Sequence, residues 1–207
     1  MRKRGGGIQR KTGGRKPRKR CFIFCEGERT EPDYLRAFKS RFPQCLFDVI
    51  SIGAAGVPKT LLEKARDKKK QIEKDITRGR GFAENDEVWI AFDKDEHPEV
   101  QATINGASIA GVGVAFSNPC FELWLILHQA EFDRPDDRHK VQKHCDDIVE
   151  CYNRRAGKTG DFLPLLENLD KAEARAEAQC QRRIDEDAEF GAPSTSFYLL
   201  TRKLRST

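Results

Sequence analysis

Three acidic residues stand directly after apolar segments that could form strands. Glu26 follows Cys21-Phe-Ile-Phe-Cys25, whereas Asp93 and Asp95 follow Val88-Trp-Ile-Ala-Phe92. In an extended segment, residues two positions apart point to the same side, so Asp93 and Asp95 can converge on one point. Carboxylates held together repel one another unless a divalent cation neutralises them, and oxygen ligands favour Mg²⁺ or Mn²⁺. The spacing therefore predicts a metal site of Glu26, Asp93 and Asp95 that could bridge a phosphodiester and orient water.

A fourth acidic residue, Glu122, lies inside the apolar run Phe121–Gln129. A carboxyl group in such a run requires a compensating interaction, because burying a charge is costly. Glutamate also suits the first turn of a helix, where it interacts favourably with the helix dipole. A role in the site is the favoured interpretation, so Glu122 joins Glu26, Asp93 and Asp95 as a catalytic candidate.

The elements that must position these residues alternate between strand and helix patterns. Strands are predicted at 21–25, 47–52, 88–92 and 111–116, and helices at 31–41, 58–77 and 98–110. Thr30 is the expected N-cap of the first helix. This order predicts an α/β fold with a three-layer core and a mainly parallel four-stranded sheet, because each parallel connection needs a crossover helix. Open sheets of this kind bind ligands at the carboxyl ends of their strands, where the acidic candidates stand.

The rest of the chain divides into an arm and an extension. Residues 131–207 are predicted to form a helical extension packing on the 21–130 core, with helices at 136–156, 163–187 and 194–204. Residues 1–20 contain ten Lys or Arg, no acidic residue and five glycines, so we expect a flexible basic arm. The other 28 basic residues are outnumbered by 33 acidic ones, and the body of the protein is therefore acidic.

The arm could bind nucleic acid without reading its sequence, through counterion release. Its candidate contacts are Arg15, Lys16, Arg18, Lys19 and Arg20. The alternative is a solubilising tail that contacts nothing. Arg29, in the turn after Glu26, could also contact a phosphate with Glu31 as a supporting acid, although a salt bridge at the helix start explains this pair equally well.

Composition excludes a membrane protein and favours the cytoplasm. No apolar run approaches the length of a membrane span, and no apolar segment of a signal peptide follows the basic N-terminus. The seven cysteines are an odd number without a CxxC pair, which predicts reduced thiols, several of them buried.

The strand-end motifs carry a resemblance. An apolar strand ending in Glu-Gly, followed by one ending in Asp-x-Asp, resembles the Toprim fold of topoisomerases, primases and OLD-type nucleases. More specifically, the chain resembles the RloB-like family, small Toprim-related proteins linked to bacterial restriction and abortive-infection loci. The segments that carry this resemblance are CFIFCEGERTEPDYLRAF, VWIAFDKDEH and GVAFSNPCFELWLILH, with a looser match in PSTSFYLLTRKL.

The resemblance implies a Mg²⁺-dependent endonuclease of Toprim type that acts in bacterial anti-phage defence. Glu26 matches the Toprim glutamate, and Asp93 and Asp95 match its aspartate pair. No second domain presents a strand-cleaving tyrosine, so hydrolysis of RNA (transfer RNA in particular) or DNA is favoured over topoisomerase activity. The alternative is a non-catalytic or conditionally active toxin or regulatory subunit, controlled by an AAA- or ABC-type ATPase. Self-association is left open.

Overall fold

The centre of the protein is a five-stranded, mostly parallel sheet. The computed structural model describes residues 19–53, 58–80, 86–94 and 99–206. The strands are β1 Cys21–Cys25, β2 Phe47–Ser51, β3 Glu87–Asp93, β4 Gly113–Asn118, β5 Tyr152–Asn153, β6 Thr159–Gly160 and β7 Ser194–Thr195. The sheet has the order β2-β1-β3-β4-β7, and β5 and β6 form a separate antiparallel hairpin. The first four strands are parallel to one another, which confirms the predicted mixed α/β architecture.

The predicted four-stranded sheet is wrong, because a fifth strand pairs with the edge of β4. Strand β7 runs antiparallel to the end of β4, with Ser117 opposite Thr195. Beside this pair, the backbone N–H of Phe116 donates to Ser196 Oγ (2.9 Å), and the N–H of Ser196 donates to Phe116 O (2.8 Å). The segment after 194 therefore begins as a strand rather than a helix, and it satisfies polar groups that the edge of β4 would otherwise leave unpaired.

Seven α-helices and one 3₁₀ segment surround this sheet in the described ranges. The helices are α1 Thr30–Arg41, α2 Pro58–Thr77, α3 Val100–Ile109, α4 Glu122–Gln129, α5 Arg138–Ile148, α6 Leu169–Asp185 and α7 Phe197–Arg205, and the 3₁₀ segment is Leu163–Asn168. Thr30 is the first residue of α1 and not its cap, because its hydroxyl donates to the backbone oxygen of Lys158 (2.9 Å).

The sheet is covered on both faces, as the alternating side chains of β1 show. Cys21, Ile23 and Cys25 join the core formed with α1 and α4 to α7, whereas Phe22 and Phe24 join the core formed with α2 and α3. Because successive strand residues point to opposite faces, a continuous apolar strand indicates two covered faces. Because β1, β3 and β4 are adjacent and parallel in the sheet, their carboxyl ends lie side by side.

The helices of the C-terminal part are shorter than the sequence pattern predicts. Helix α5 ends at Ile148, and the β5–β6 hairpin occupies much of the remaining segment predicted as helix. Gly157 adopts φ +87°, a left-handed conformation that favours glycine, and it lies in the turn between β5 and β6. Ala172 and Ala176 of α6 are fully buried in the core shared with α4.

None of the helices described is long and apolar enough to cross a membrane.

Candidate functional site

Acidic side chains lie at the carboxyl ends of three neighbouring parallel strands. Glu26 directly follows β1, Asp93 is the last residue of β3, and Glu122 opens α4 just after β4. Glu26 continues the strand pairing, because its backbone N–H donates to Ala91 O (3.0 Å). Its carboxylate in turn accepts the backbone N–H of Asp93, with 3.3 Å between Asp93 N and Glu26 Oε2. The structure thus brings together three of the four predicted catalytic residues.

Glu31 completes a cluster of four carboxyl groups. It lies in the first turn of α1 and is only 6% exposed. Its carboxylate folds back over the turn after β1, where it accepts backbone N–H groups of Gly27 and of Glu31 itself. A Cβ atom at Gly27 would lie 2.0 Å from Glu31 Oε2. The Glu-Gly pair therefore has a physical reason, since a side chain at position 27 would displace the Glu31 carboxylate from its present position.

The electrostatics show that the four groups interact. The pKa of Glu31 is raised to about 7, chiefly by burial and also by the charges of Glu122 and Glu26, against the two backbone hydrogen bonds that lower it. Burial also raises the pKa of Asp93 well above its usual range, with additional contributions from Glu31, Glu122 and Glu26. The N–H of Phe121 acts in the opposite direction on Asp93. We call these four residues (Glu26, Glu31, Asp93 and Glu122) the carboxylate cluster.

The β5–β6 hairpin supplies two partners of Glu122 that the sequence did not reveal. The Tyr152 hydroxyl donates to Glu122 Oε1 (2.8 Å), and Lys158 Nζ lies 3.9 Å from the same oxygen. Glu122 is 2% exposed, so these contacts provide the compensation that a buried carboxyl group needs. The available signal was the pair Gly157 and Gly160, which predicts a turn directly after the predicted helix 136–156.

Arg29 stands beside the hairpin and remains exposed. Its guanidinium lies against Gly157, where a Cβ atom would be 2.6 Å from Arg29 Nη1. The adjacent Thr30 hydroxyl donates a hydrogen bond to the backbone oxygen of Lys158. The predicted phosphate-contacting position of Arg29 therefore lies in the same turn as Glu26 and faces the tip of the hairpin.

Of the remaining predicted site residues, the structure describes Lys19 and Arg20, and it places both away from the cluster. Asp95, Arg15, Lys16 and Arg18 lie outside the described residues. Lys19 forms a salt bridge with Glu87, and Arg20 forms one with Asp86 (2.7 Å). These pairs are at the amino ends of β1 and β3, separated from the cluster by the length of β1, about 15 Å at about 3.3 Å per residue.

Other ionisable groups have structural settings. His128 is buried, and its ring nitrogens contact the Tyr34 hydroxyl (3.0 Å) and Trp124 O (2.9 Å). Burial lowers the pKa of His128 to about 4, so the ring is neutral in the core. All seven cysteines are free and five of them are buried, which confirms the predicted reduced thiols.

The donor set fits a hard divalent cation in its chemistry. The charges of Glu26 and Glu122 help to raise the pKa of Glu31 and Asp93, and a bound cation would offset this repulsion. Carboxylate oxygens are the ligands that Mg²⁺ and Mn²⁺ prefer. Within residues 19–53, 58–80, 86–94 and 99–206, no group of three or more His, Cys, Asp or Glu side chains that could hold a metal is found as the side chains stand. The predicted trio includes Asp95, which lies outside these ranges.

The fold and site define an α/β protein with acidic side chains at the carboxyl ends of its parallel strands. The family model described as RloB-like protein matches residues 21–204. The chain therefore belongs to the RloB-like protein family. No curated protein and no solved structure matches the chain.

Proposed function

We propose that this protein is a Mg²⁺- or Mn²⁺-dependent nuclease with a Toprim-like core, which hydrolyses phosphodiester bonds in RNA or DNA and acts in bacterial anti-phage defence. The observation that supports the proposal is the carboxylate cluster at the ends of β1, β3 and β4, where burial and mutual repulsion raise the pKa of Glu31 and Asp93. Strongly perturbed carboxyl groups are typical of functional sites, because their cost to folding must be offset by a gain elsewhere.

Each acidic residue has a distinct part in this proposal. Glu26 and Asp93, with Asp95 from the sequence, would hold the cation. The bound cation would stabilise charge on the phosphate and activate water. Glu122 is fixed by the Tyr152 hydroxyl and is the candidate to orient or deprotonate the attacking water. Glu31, with a pKa of about 7, holds a proton for part of the time at neutral pH and so lessens repulsion in the metal-free protein.

The test is a cleavage assay with labelled single-stranded RNA, transfer RNA and DNA in Mg²⁺, Mn²⁺ or EDTA. We expect cleavage in metal only, and we expect Glu26→Gln and Asp93→Asn to abolish it. Asp67→Asn is the matched control, because Asp67 is an exposed aspartate on α2, away from the cluster. Cleavage that survives both cluster substitutions would overturn the proposed site.

The same assay separates the second candidate function, a conditionally active subunit. Wild-type protein that cleaves nothing alone, but cleaves once an ATPase encoded beside it is added, would favour control by that partner. In that case Glu26→Gln should remain inactive with the ATPase present. Binding of the ATPase without any cleavage would instead favour a non-catalytic regulatory role.

A further inference from the structure

We infer that Lys158, at the tip of the β5–β6 hairpin, is the residue of this site that binds the phosphate of the substrate. The inference deepens the proposed function and rests on it. It assigns a substrate-contacting role to a lysine 36 positions beyond Glu122 in the sequence, in a segment outside the predicted core. The chemical group it would bind is a non-bridging oxygen of a phosphodiester.

The hairpin tip holds Lys158 in an unusual backbone conformation. Lys158 adopts φ +62°, directly after Gly157 at φ +87°. Left-handed backbone is disfavoured for a residue with a side chain, and it persists where surrounding contacts fix it. Here Asn153 provides those contacts: its backbone oxygen accepts the N–H of Lys158 (2.9 Å), and its side-chain oxygen accepts the N–H of Ala156 (2.8 Å). The backbone of Lys158, and with it the starting point of its side chain, is therefore fixed by the turn.

The hairpin is also fixed relative to the catalytic turn. The Thr30 hydroxyl donates to Lys158 O, and Arg29 lies against Gly157. Arg29 and Thr30 follow Glu26 closely in the chain. The lysine backbone is thus tied to the segment that carries the first acidic residue of the site.

The ammonium group of Lys158 reaches from solvent to the buried cluster. Its side chain is 37% exposed, whereas the side chain of Glu122 is 3% exposed. The 3.9 Å separation between Lys158 Nζ and Glu122 Oε1 is longer than a hydrogen bond, and that oxygen already accepts the Tyr152 hydroxyl. An ammonium group has three donors, so Lys158 retains donors for another anion.

A phosphodiester approaching this site needs such a cation. The substrate is anionic, and the cluster presents several carboxyl groups that would repel it. Lys158 would donate hydrogen bonds to a non-bridging oxygen and partly neutralise its charge, with no proton transferred and no bond to the lysine formed. The other interpretation is a partly exposed salt bridge to Glu122 that contributes little beyond local stability.

The experiment compares the full-length wild-type protein with Lys158→Gln, Lys158→Arg and the control Lys64→Gln, which removes an exposed lysine of α2. Cleavage is measured in Mg²⁺ as kcat and KM. Binding of a fluorescent single-stranded oligonucleotide is measured in EDTA over a range of salt. We expect Lys158→Gln to lower kcat/KM by about 100-fold and Lys158→Arg to restore part of it, because a second cation can contact the same oxygen.

The binding arm keeps the inference falsifiable if the proposed function fails. Loss of one phosphate contact should flatten the slope of log affinity against log salt by about 0.7 for a single strand. If the wild type never cleaves, the nuclease proposal falls, yet a flatter slope in Lys158→Gln would still support a phosphate contact. If Lys158→Gln matches Lys64→Gln in cleavage and binding, or if its only effect is a lower melting temperature, Lys158 is a structural residue and the inference is overturned. Failure of the wild type to bind the oligonucleotide would overturn it as well.

Discussion

The two ends of β1 and β3 carry acidic residues in opposite electrostatic situations. At the amino ends, Asp86 pairs with Arg20, and Glu87 lies beside Lys19 and 3.0 Å from Lys203 Nζ. At the carboxyl ends, the carboxylate cluster brings four acidic residues together, and Lys158 Nζ lies 3.9 Å from Glu122 Oε1. The acidic residues at the amino ends of these strands are therefore paired with basic residues, whereas those at the carboxyl ends lie close to other acidic residues.

The pKa shifts record this difference. Partial burial acts to raise the pKa of Glu87, but hydrogen bonds from Lys19 and Lys203 outweigh it and the pKa is lowered. At the other end, burial and neighbouring carboxylates raise the pKa of Glu31 together. Paired charges at the amino ends stabilise the fold, whereas crowded charges at the carboxyl ends cost stability, a cost that the proposed cation would offset. This contrast is the physical argument for placing function at one end only.

The largest expected effect is on catalysis. Glu122→Gln should lower kcat by about 10²- to 10³-fold, because an amide cannot accept a proton or carry the charge of the site. Glu87→Gln should change kcat less than about twofold, since it lies at the far end of the strands and charges there act weakly through solvent. Initial cleavage rates in Mg²⁺ measure both. Equal losses in the two variants would remove the distinction between the ends.

The second prediction concerns pH in metal-free protein. The pKa of Glu31 rises from an ordinary 4.5 to about 7 on folding, so the native state binds more protons than the unfolded state between these values. Stability should therefore fall as pH rises from 4.5 to 7, by on the order of a few kcal/mol, and Glu31→Gln should flatten this window. Urea unfolding in EDTA at several pH values measures it. Parallel curves for wild type and variant would contradict the crowded-cluster interpretation.

Addition of Mg²⁺ sharpens the same prediction. Cation binding to the native state should restore stability to the wild type above pH 7, where Glu31 is mostly ionised. The control is Asp67→Asn, which should gain as much from Mg²⁺ as the wild type, because Asp67 is exposed and outside the cluster.

A substitution at the amino ends of β1 and β3 should change the stability of the protein but not its catalytic activity. Asp86→Asn removes the carboxylate that pairs with Arg20, and its own side chain is fully buried. We expect a loss of about 1–2 kcal/mol in the free energy of unfolding, because the charged hydrogen bonds are lost while Arg20 remains partly solvated. Cleavage by the folded variant should equal that of the wild type. A catalytic defect without a loss of stability would indicate that the amino ends belong to the site.

The smallest expected effect comes from the arm. Deleting residues 1–18 should weaken oligonucleotide binding several-fold at low salt and flatten its salt dependence, because the eight basic residues of this segment could no longer contact phosphates. Lys19 and Arg20 are retained, since they are paired with Glu87 and Asp86. An unchanged salt slope would leave the arm as a solubilising tail.

The sequence predicted the strands of the core more completely than the residues that surround the site. The ends of β1 to β4 were predicted to within two residues. Apolar runs that alternate with helical patterns are typical of strands in a parallel α/β sheet, and few other folds fit this order. Glu26, Asp93 and Glu122 followed from them. The hairpin was missed, since its strands are two residues each and a charged segment of that length also suits a helix.

The sequence by itself determined which carboxylates stand at the strand ends. The pattern of apolar segments predicts the strands, and parallel connections place the carboxyl ends of β1, β3 and β4 at one edge of the sheet. Only the tertiary structure decided which groups surround them. Tyr152 reaches Glu122 across 30 positions, and Ser196 joins the edge of β4 across 80. Local preferences extend over a few residues, whereas these contacts depend on how the C-terminal helices pack against the sheet. The packing of the whole chain therefore turns a row of acidic residues into a site with a tyrosine and a lysine beside it.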